Sequence, residues 1–343
     1  MPMSPTPGAA LPPQIQLVQM VMGATVAHIV RAAVELKIPD RLSAGPKTSG
    51  QVAEEINVHA PSLSRLMRSL SSFGILTQDA ADRFGLTPLG DALREDAPGG
   101  GRSLFLTLAS NWWMRGLDEF RYSVETGKSG FEKALQMPVF EFIGHAPERA
   151  SAFSETMVAF HGAEPPTVVM AYDFSKFQTI VDVGGATGNL LTAILNGYPG
   201  PRGILFDMPH VVRDAPALIQ SRGLTDRITI TPGSFFESIP AGADAYLLSH
   251  VIHDWSEEQC IAILGNVRRA MKPESKLLLV EMVLPEGAAP HPGKLLDMVM
   301  LVGPGGQERT AAEYETLLAK AGLRVTAVIP TLSPVSVVEA VRA

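Results

Sequence analysis

The chain has 343 residues, 46% hydrophobic and 18% charged, which is the balance of a soluble globular protein long enough for two cores. Its formal net charge of −7 argues against non-specific nucleic-acid binding, which depends on neutralising phosphates with lysine and arginine. The single cysteine, Cys260, cannot form an internal disulfide, so a reducing cytoplasm is the expected location.

The N-terminal residues predict an unstructured lead followed by one long helix. Residues 1–13 are rich in Pro, Gly and Ala and lack a positive n-region, so they are not expected to form a signal peptide. Residues 14 to about 37 have apolar side chains at helical spacing. Gln19, His28 and Arg31 interrupt this stretch and argue against a membrane span. The helix is either a core helix or a subunit interface, and we favour the interface.

A winged-helix domain is predicted within residues 14–100. Thr48 and Gln51 have capping-box spacing before a short helix, and Pro61 opens a second helix. Two short strands around Asp79–Asp82 then form a hairpin. Helix, helix and hairpin is the order of a winged helix, whose usual role is DNA binding.

The charge of this domain favours a structural or dimerising role over DNA binding. The helix in the recognition position carries only Arg65 and Arg68, and Asp79 and Asp82 accompany Arg83 in the hairpin. Three cationic side chains beside two aspartates form too small a positive surface for extensive contact with DNA phosphates. A winged-helix regulator that senses a small molecule stays open as a less favoured alternative.

Residues 101–175 predict a helical connector that covers the site of a flat apolar acceptor. Trp, Phe and Met recur through this stretch, and they suit such a ligand as well as an ordinary core. From residue 176 to 343 the pattern changes to strands alternating with helices, which predicts a doubly wound α/β sheet. Seven strands are predicted, at 179–183, 203–206, 228–231, 245–249, 276–280, 325–329 and 335–341. Helices are predicted at 189–196, 211–221, 256–271 and 311–321.

A glycine-rich loop follows the first predicted strand in the sequence Val181-Asp182-Val183-Gly184-Gly185-Ala186-Thr187-Gly188. Glycines at the carboxyl edge of such a sheet let a ligand approach the backbone closely. The fingerprint G-x-G-x-x-G of dinucleotide-binding folds is absent, because Ala186 stands where it has a glycine. Asp182 before the loop suits a cofactor with an amino group and a sulfonium better than a pyrophosphate.

Asp207 ends the second strand, about 20 residues after the loop. A carboxylate there can accept both hydroxyls of a ribose, and the same residue is also a good N-cap for the next helix. The position favours ribose binding, and both roles are compatible.

The stretch Ser249-His250-Val251-Ile252-His253-Asp254-Trp255-Ser256 lies at the end of the fourth strand, before a helix with a Ser256/Gln259 capping box. A histidine at this edge is a candidate general base. Glu281, at the end of the fifth strand, and Glu308 can reach the same edge and stabilise a charged imidazole. His253, Asp254 and Glu281 also form a candidate metal set, but no further His or Cys stands at ligand spacing, so no metal is predicted.

These segments resemble the caffeic-acid-type and bacterial small-molecule O-methyltransferases, which depend on S-adenosylmethionine and carry an N-terminal winged-helix dimerisation domain. The matching segments, in the family's order, are VDVGGATG, LFDMPHVV, GSFF, HVIHDWSEEQC, LLLVEMVLPE and DMVML with GGQERT. The resemblance covers nearly the whole chain. It implies an α/β fold with a seven-stranded Rossmann-like methyltransferase domain and a homodimer.

The resemblance also implies a role for individual residues. His253 would take the proton of the acceptor hydroxyl, with Glu281 and Glu308 flanking and orienting it. The cofactor would be held by Asp182, Gly184, Gly185, Gly188, Asp207, Met208, Ser234, Phe235 and Ser249. The acceptor, a small and hydroxylated aromatic molecule, would be lined by Met157, His161, His250, Asp254 and Met300.

The chain departs from the family at three cofactor-side positions and at none of the three catalytic ones. Ala186 replaces the third glycine of the loop, Ser234 stands where an Asp is common, and Ser249 stands where a basic residue is common. Retention of His253 and both glutamates favours methyl transfer over hydroxylation, decarboxylation or cyclisation by a relative on the same scaffold.

The acid–base mismatch favours a base that acts during methyl transfer. The pKa of a phenol is roughly 3.5 units above that of an ordinary histidine, so complete transfer of the proton before methyl transfer would cost about 5 kcal/mol. Alignment of the reacting atoms can lower the reaction barrier by roughly 7–11 kcal/mol, which is more than this cost, so the reaction requires no metal.

Overall fold

A computed structural model describes residues 11–343, so most of the predicted lead over residues 1–13 lies outside the described residues. The chain divides into two compact units. The first extends to Met114 and includes Pro147–Ala159, and the second comprises Arg115–Ala146 and Phe160–Ala343. The three-part division at residues 100 and 175 stays a prediction.

The first unit is mainly helical and contains one small sheet of three strands in the order β1-β3-β2. Its helices are α1 (Pro13–Glu35), α2 (Ile38–Arg41), α3 (Ser49–Ile56), α4 (Ala60–Ser72), α5 (Pro88–Asp91) and α6 (Gly101–Leu108), and its strands are β1 (Lys47–Thr48), β2 (Leu76–Gln78) and β3 (Arg83–Leu86). Helix α7 (Asn111–Leu117) contains the boundary at Met114.

The predicted winged helix is confirmed. The Thr48 side chain accepts the N–H of Gln51 while the Gln51 side chain accepts the N–H of Thr48, which closes the capping box of α3. Strands β2 and β3 pair antiparallel, with Leu76 opposite Leu86. Apolar side chains of α1, α3, α4 and the hairpin form one buried cluster that holds these elements together.

Helix α1 is buried only towards its C-terminal end, through Val30, Ala33 and Val34. Its N-terminal half leaves large apolar side chains exposed within the chain: Ile15, Leu17, Val18, Met20, Val21 and Met22. Among the described residues α1 alone is long and apolar enough to cross a membrane by length and composition, with 17% of the relevant window buried. Core helices of soluble proteins and signal sequences can have the same length and composition. The role of α1 as a subunit interface therefore stays a prediction.

Seven parallel and antiparallel strands form the large sheet of the second unit, in the order β11-β12-β8-β7-β4-β5-β6. The strands are β4 (Thr179–Val183), β5 (Arg202–Asp207), β6 (Ile228–Pro232), β7 (Ala245–Ser249), β8 (Lys276–Glu281), β11 (Leu323–Pro330) and β12 (Ser336–Arg342). All seven predicted strands are confirmed. The first five are parallel, and β12 runs antiparallel to both β8 and β11.

Helices cover both faces of this sheet, which explains why its central strands are apolar on both sides. The second unit as a whole contains the helices α8 (Phe120–Thr126), α9 (Gly130–Leu135), α10 (Val139–Gly144), α12 (Glu164–Ala171), α13 (Asn189–Gly197), α14 (Ala215–Ser221), α15 (Glu257–Ala270), α16 (Pro292–Val302) and α17 (Ala311–Lys320), whereas α11 (Pro147–His161) belongs to the first unit up to Ala159. The predicted helix at 211–221 instead begins with a 3-10 turn, Val212–Asp214, because Pro216 fits the start of α14 and not its interior.

A short parallel pair, β9 (Val283–Leu284) with β10 (Arg309–Thr310), lies apart from the large sheet. Arg309 is opposite Val283 and Thr310 is opposite Leu284. This register brings the segment that contains Glu308 alongside the end of β8, where Glu281 lies.

Truncation of a side chain at the centre of the large sheet should destabilise the second unit. Leu247 on β7 is fully buried, so Leu247→Ala is expected to cost about 2–5 kcal/mol through lost transfer free energy and a residual cavity. Leu332, which is 82% exposed, is the matched control, and its substitution by Ala should change stability by less than about 0.5 kcal/mol. Urea unfolding of both variants measures the difference, and equal midpoints would contradict the assigned core.

Candidate active site

The predicted site residues of the second unit converge at the carboxyl edge of the parallel strands. Strands β8, β7, β4 and β5 are neighbours in that order. Their carboxyl ends carry Glu281, the His253 turn, the glycine loop and Asp207, respectively. Open α/β sheets bind ligands at this edge, so the strand order itself assembles the site.

His253 lies in a short 3-10 turn, Ile252–Asp254, and is only 5% exposed. Its Nδ1 is 2.7 Å from Oε1 of Glu308 and 3.5 Å from Oε2 of Glu281. Its Nε2 faces away from the glutamates and is 3.6 Å from Oδ1 of Asp254. One ring nitrogen is therefore tethered, and the other is left for a reacting group.

The two glutamates hold the histidine in different ways, a distinction that the sequence motifs do not contain. Glu308 makes the hydrogen bond to the imidazole. Glu281 accepts the backbone N–H groups of Val251 and Ile252, at 3.1 and 2.9 Å, and so fixes the turn that carries His253. Its second oxygen is the one that faces the ring.

The loop that precedes β10 packs against the 3-10 turn that carries His253. Gln307 donates its N–H to the carbonyl of His253 at 2.8 Å. A Cβ at Gly306 would collide with the same carbonyl, so only glycine allows the approach. Asp297, on α16, accepts the N–H of Glu308 at 2.9 Å and so fixes the residue whose carboxylate contacts His253.

The electrostatics of the site favour a charged imidazole. Burial alone lowers the pKa of His253, but the charges of Glu281 and of two further carboxylates outweigh it and raise that pKa well above its usual range. Burial raises the pKa of Glu281 to about 7 and that of Asp254 to about 6, although the His253 charge acts in the opposite direction on both. The imidazole is therefore a stronger base than a free histidine.

The glycine loop packs closely against the side chains around it. Gly184 has φ 73°, and a Cβ there would be 2.7 Å from the Val251 side chain. A Cβ at Gly185 would be 2.6 Å from the carboxylate of Asp182. Ala186 adopts a positive φ of 51° even though it replaces a glycine. Glycine at positions 184 and 185 therefore lets the loop at residues 184–188, called the glycine cradle below, pack closely against its neighbours.

Two carboxylates border this cradle. Asp207 accepts the N–H of Ala186 at 2.9 Å and of Met208 at 2.7 Å, so it fastens the loop to the end of β5. Asp182 is buried, and its Oδ1 has no hydrogen-bond partner among residues 11–343. Burial, followed by the charge of Asp207, raises the pKa of Asp182 to about 7, although a backbone hydrogen bond from Leu191 acts in the opposite direction. A carboxylate oxygen without a partner is suited to a hydrogen-bond donor on a ligand.

The remaining predicted cofactor residues lie around the same loop or close to its strands. Phe235 comes within 3.6 Å of a Cβ placed at Gly184, and its ring packs on Phe236 and Trp255. Ser234 accepts the N–H of Phe236 at 3.3 Å. Met208 is 40% exposed beside Asp207, and Ser249 ends β7. Gly188, with φ 85°, opens α13.

His161 and His250 form a cluster with Glu164, which the sequence analysis missed. Oε2 of Glu164 is 2.7 Å from Nε2 of His250 and 3.2 Å from Nδ1 of His161. The i,i+3 spacing of His161 and Glu164 at the junction of two helices was the available signal. Met300 is buried on α16, whereas Met157 belongs to the first unit.

Two sets of side chains in the described part of the chain have potential metal-ligand atoms within 4.8 Å of one another. They are His161 with Glu164 and His250, and His250 with His253 and Glu281. The first set is already linked by the hydrogen bonds of Glu164 to both histidines. The set of His253, Asp254 and Glu281, which the sequence offered as a metal alternative that we did not favour, is not among them.

Comparison with known families identifies both parts of the chain. Residues 118–324 match the model of the O-methyltransferase domain, and residues 18–96 match that of the O-methyltransferase dimerisation domain. The phenazine O-methyltransferase PhzM of Lysobacter antibioticus is 40% identical over 96% of this chain and 97% of its own length.

Solved structures of relatives agree with this assignment. The structure of the mitomycin 7-O-methyltransferase MmcR superposes with a TM-score of 0.90 at 36% identity, over 96% of this chain and 98% of that one. An O-methyltransferase from neocarzinostatin biosynthesis, in complex with S-adenosylmethionine and 2-hydroxy-5-methyl naphthoic acid, gives a TM-score of 0.80 at 33% identity, over 93% and 96%.

The domain matches, the relatives and the assembled edge of the sheet agree with one another. The dimerisation domain supports a homodimer, and the relatives support methyl transfer to aromatic acceptors. The chain belongs to the S-adenosylmethionine-dependent small-molecule O-methyltransferases that carry an N-terminal dimerisation domain.

Proposed function

We propose that His253 is the general base that accepts the proton of an aromatic hydroxyl during methyl transfer. The observation that carries this proposal is the 2.7 Å contact of Nδ1 with Glu308, which leaves Nε2 for the acceptor. Because an ionised carboxylate only accepts hydrogen bonds, Glu308 keeps a proton on Nδ1 and a lone pair on Nε2 of the neutral ring. Glu281 and Glu308 are positioning residues that also stabilise the imidazolium formed when the proton arrives.

The raised basicity of His253 addresses the acid–base mismatch with a phenol. An ordinary histidine lies roughly 3.5 pKa units below a phenol, and the surrounding carboxylates narrow that gap. The proton moves from the acceptor oxygen to Nε2, and the buried glutamates balance the new positive charge. Retention of this arrangement supports methyl transfer over hydroxylation, decarboxylation or cyclisation on the same scaffold.

The glycine cradle fits S-adenosylmethionine, which supplies the methyl group on a sulfonium sulfur. We propose that Asp207 binds the ribose hydroxyls, and that Gly184, Gly185 and Gly188 admit the cofactor against the backbone. The Oδ1 atom of Asp182, which has no partner among the described residues, suits a hydrogen-bond donor on the cofactor. On the family's pattern, Met208, Ser234, Phe235 and Ser249 complete this side of the site.

The acceptor side is proposed to contain His161, His250, Asp254 and Met300 of the second unit, and Met157, which belongs to the first unit, stays an expectation from the family resemblance. The relatives act on aromatic molecules, as their names state for a phenazine and a 2,7-dihydroxy-5-methyl-1-naphthoate, which favours a flat aromatic acceptor here. No metal is needed in this scheme. We also propose a homodimer formed through the exposed apolar half of α1, and a cytoplasmic location consistent with the single buried thiol of Cys260.

Removal of the base should separate turnover from cofactor binding. His253→Ala is expected to lower kcat by at least about 10²–10⁴-fold, because proton removal is lost while the cradle stays intact. Product formation from labelled S-adenosylmethionine measures turnover, and calorimetric titration with S-adenosylhomocysteine measures binding. The exposed His145 provides the control, since His145→Ala should alter neither quantity. Full turnover by the His253 variant would refute the role of the base.

Neutralising the orienting carboxylate should shift the pH profile. The base is protonated below its raised pKa, so kcat/KM of the native enzyme rises with pH until that pKa is reached. Glu308→Gln removes one negative charge from beside Nδ1, lowers the pKa of His253, and should move this rise to lower pH with a smaller maximum rate. Glu257→Gln, on the exposed start of α15, is the control. An unchanged profile for Glu308→Gln would contradict the electrostatic role.

Removal of the Asp207 carboxylate should weaken cofactor binding. Two charge-assisted hydrogen bonds to ribose are worth about 1.5–3 kcal/mol each, so Asp207→Ala should weaken S-adenosylhomocysteine binding by about 10²-fold or more. Calorimetry gives the affinity directly. Asp226→Ala, in an exposed loop of the same unit, should bind like the native protein. Equal affinities of the two variants would exclude ribose binding by Asp207.

A further inference from the structure

His250 has two features that are costly unless they serve a ligand. Its backbone adopts φ 52°, a left-handed conformation that a non-glycine residue rarely takes. Its ring is nearly buried, and Nδ1 has no hydrogen-bond partner in the described part of the chain. A buried acceptor left unpaired costs about 1–3 kcal/mol, and backbone strain of this kind about 1–3 kcal/mol. Both costs occur at one residue on the ligand edge of the sheet.

Glu164 determines which nitrogen of His250 carries the proton. Burial raises the pKa of Glu164, but hydrogen bonds from His161 and His250 outweigh it and bring the pKa down to about 2. The carboxylate is thus ionised and can only accept a hydrogen bond, so Nε2 of His250, at 2.7 Å, is its donor. Burial, followed by the nearby His161, lowers the pKa of His250 to about 4, so the ring is neutral. Nδ1 therefore presents a lone pair.

This lone pair belongs to a ring that lies next to the base. The ring centroids of His250 and His253 are 5.2 Å apart, and those of His250 and His161 are 3.7 Å apart. Both imidazoles extend from the loop that follows β7. Two adjacent substituents of one aromatic ring can reach two imidazoles at this spacing, whereas a single hydroxyl reaches only one.

Packing of His250 among its neighbours does not account for these features. An apolar ring would stack on His161 equally well without an unpaired nitrogen, and Glu164 would then have one hydrogen bond fewer. The residues of this cluster also offer one metal-ligand atom each. The Glu164 oxygen already accepts from both histidines, however, which accounts for the set of His161, Glu164 and His250 without an ion.

We propose that Nδ1 of His250, whose tautomer is set by Glu164, accepts a hydrogen bond from a second polar group on the aromatic substrate. The enzyme would thereby select aromatic rings that carry a hydroxyl or amino group adjacent to the hydroxyl that is methylated. This inference rests on the proposed role of His253. His250 is a specificity-determining residue in this scheme, and Glu164 is a positioning residue.

Two substitutions of His250 separate the functions of its two nitrogens. His250→Asn places an amide oxygen near the position of Nδ1, and His250→Gln places its amide near Nε2, where it can still contact Glu164. Naphthalene-2,3-diol and 3-methoxy-2-naphthol form the acceptor pair, since the second lacks the neighbouring donor. The readout is the ratio of their kcat/KM values, after correction for the two equivalent hydroxyls of the diol. A general loss of stability or cofactor binding cancels in this ratio.

The native enzyme should prefer the diol by at least about tenfold, the value of one hydrogen bond. His250→Asn should keep most of this preference, and His250→Gln should reduce the ratio to near one. A native ratio near one, or an unchanged ratio in His250→Gln, would overturn the proposal while methyl transfer itself remained intact. A ratio that collapses after treatment of the native enzyme with a chelator would also overturn it, in favour of a bound cation. Failure of the base assignment is recognised separately, by full turnover of His253→Ala.

A spectroscopic measurement tests the tautomer without any acceptor. In the native protein with S-adenosylhomocysteine, nitrogen-15 spectra of histidine, assigned with the His250→Gln variant, should show His250 protonated at Nε2 and unprotonated at Nδ1. Glu164→Gln should weaken this preference. A proton on Nδ1 of His250 in the native protein would overturn the proposal.

Discussion

The pairing of a buried imidazole with buried carboxylates is the interaction on which the active site depends. Burial disfavours every one of these charges, and only their mutual proximity compensates. His253 and Glu308 touch at 2.7 Å, and Glu281 holds the turn through two backbone N–H groups. Any strand shift that separated β7 from β8 would leave charges buried without partners. The sheet order and the site chemistry therefore stabilise each other.

The carboxylates on the two sides of the site differ in their partners. On the proposed cofactor side, Asp182 is a buried carboxylate whose Oδ1 has no partner among the described residues. On the base side the carboxylates already have a histidine, and they raise its basicity. The second histidine cluster differs again, because burial and the neighbouring His161 keep the His250 ring neutral although Glu164 acts in the opposite direction. Neighbouring imidazoles on one loop thus have different protonation states, because the carboxylates around His253 outweigh its burial and the single carboxylate beside His250 does not.

Much of this molecule could be predicted from the sequence. Periodicity located all seven strands of the large sheet within a few residues, because buried parallel strands are short apolar runs bounded by turn residues. The capping boxes at Thr48 and Ser256 could be predicted because each depends only on two residues three positions apart. The 3-10 turn at Val212–Asp214 was not predicted, because the apolar pattern there is also that of an α-helix.

The sequence by itself determined the fold class, the family and the residue types at the carboxyl edge, since these depend on local patterns and ordered motifs. Only the tertiary structure decided which partner each group has. Glu308 is 55 residues from His253, and Glu164 is 86 residues from His250. Pairing across such distances comes from strand order and from the β9–β10 register, which no local pattern encodes. The protonation state of a buried group follows from those partners, so it too is a property of the folded chain.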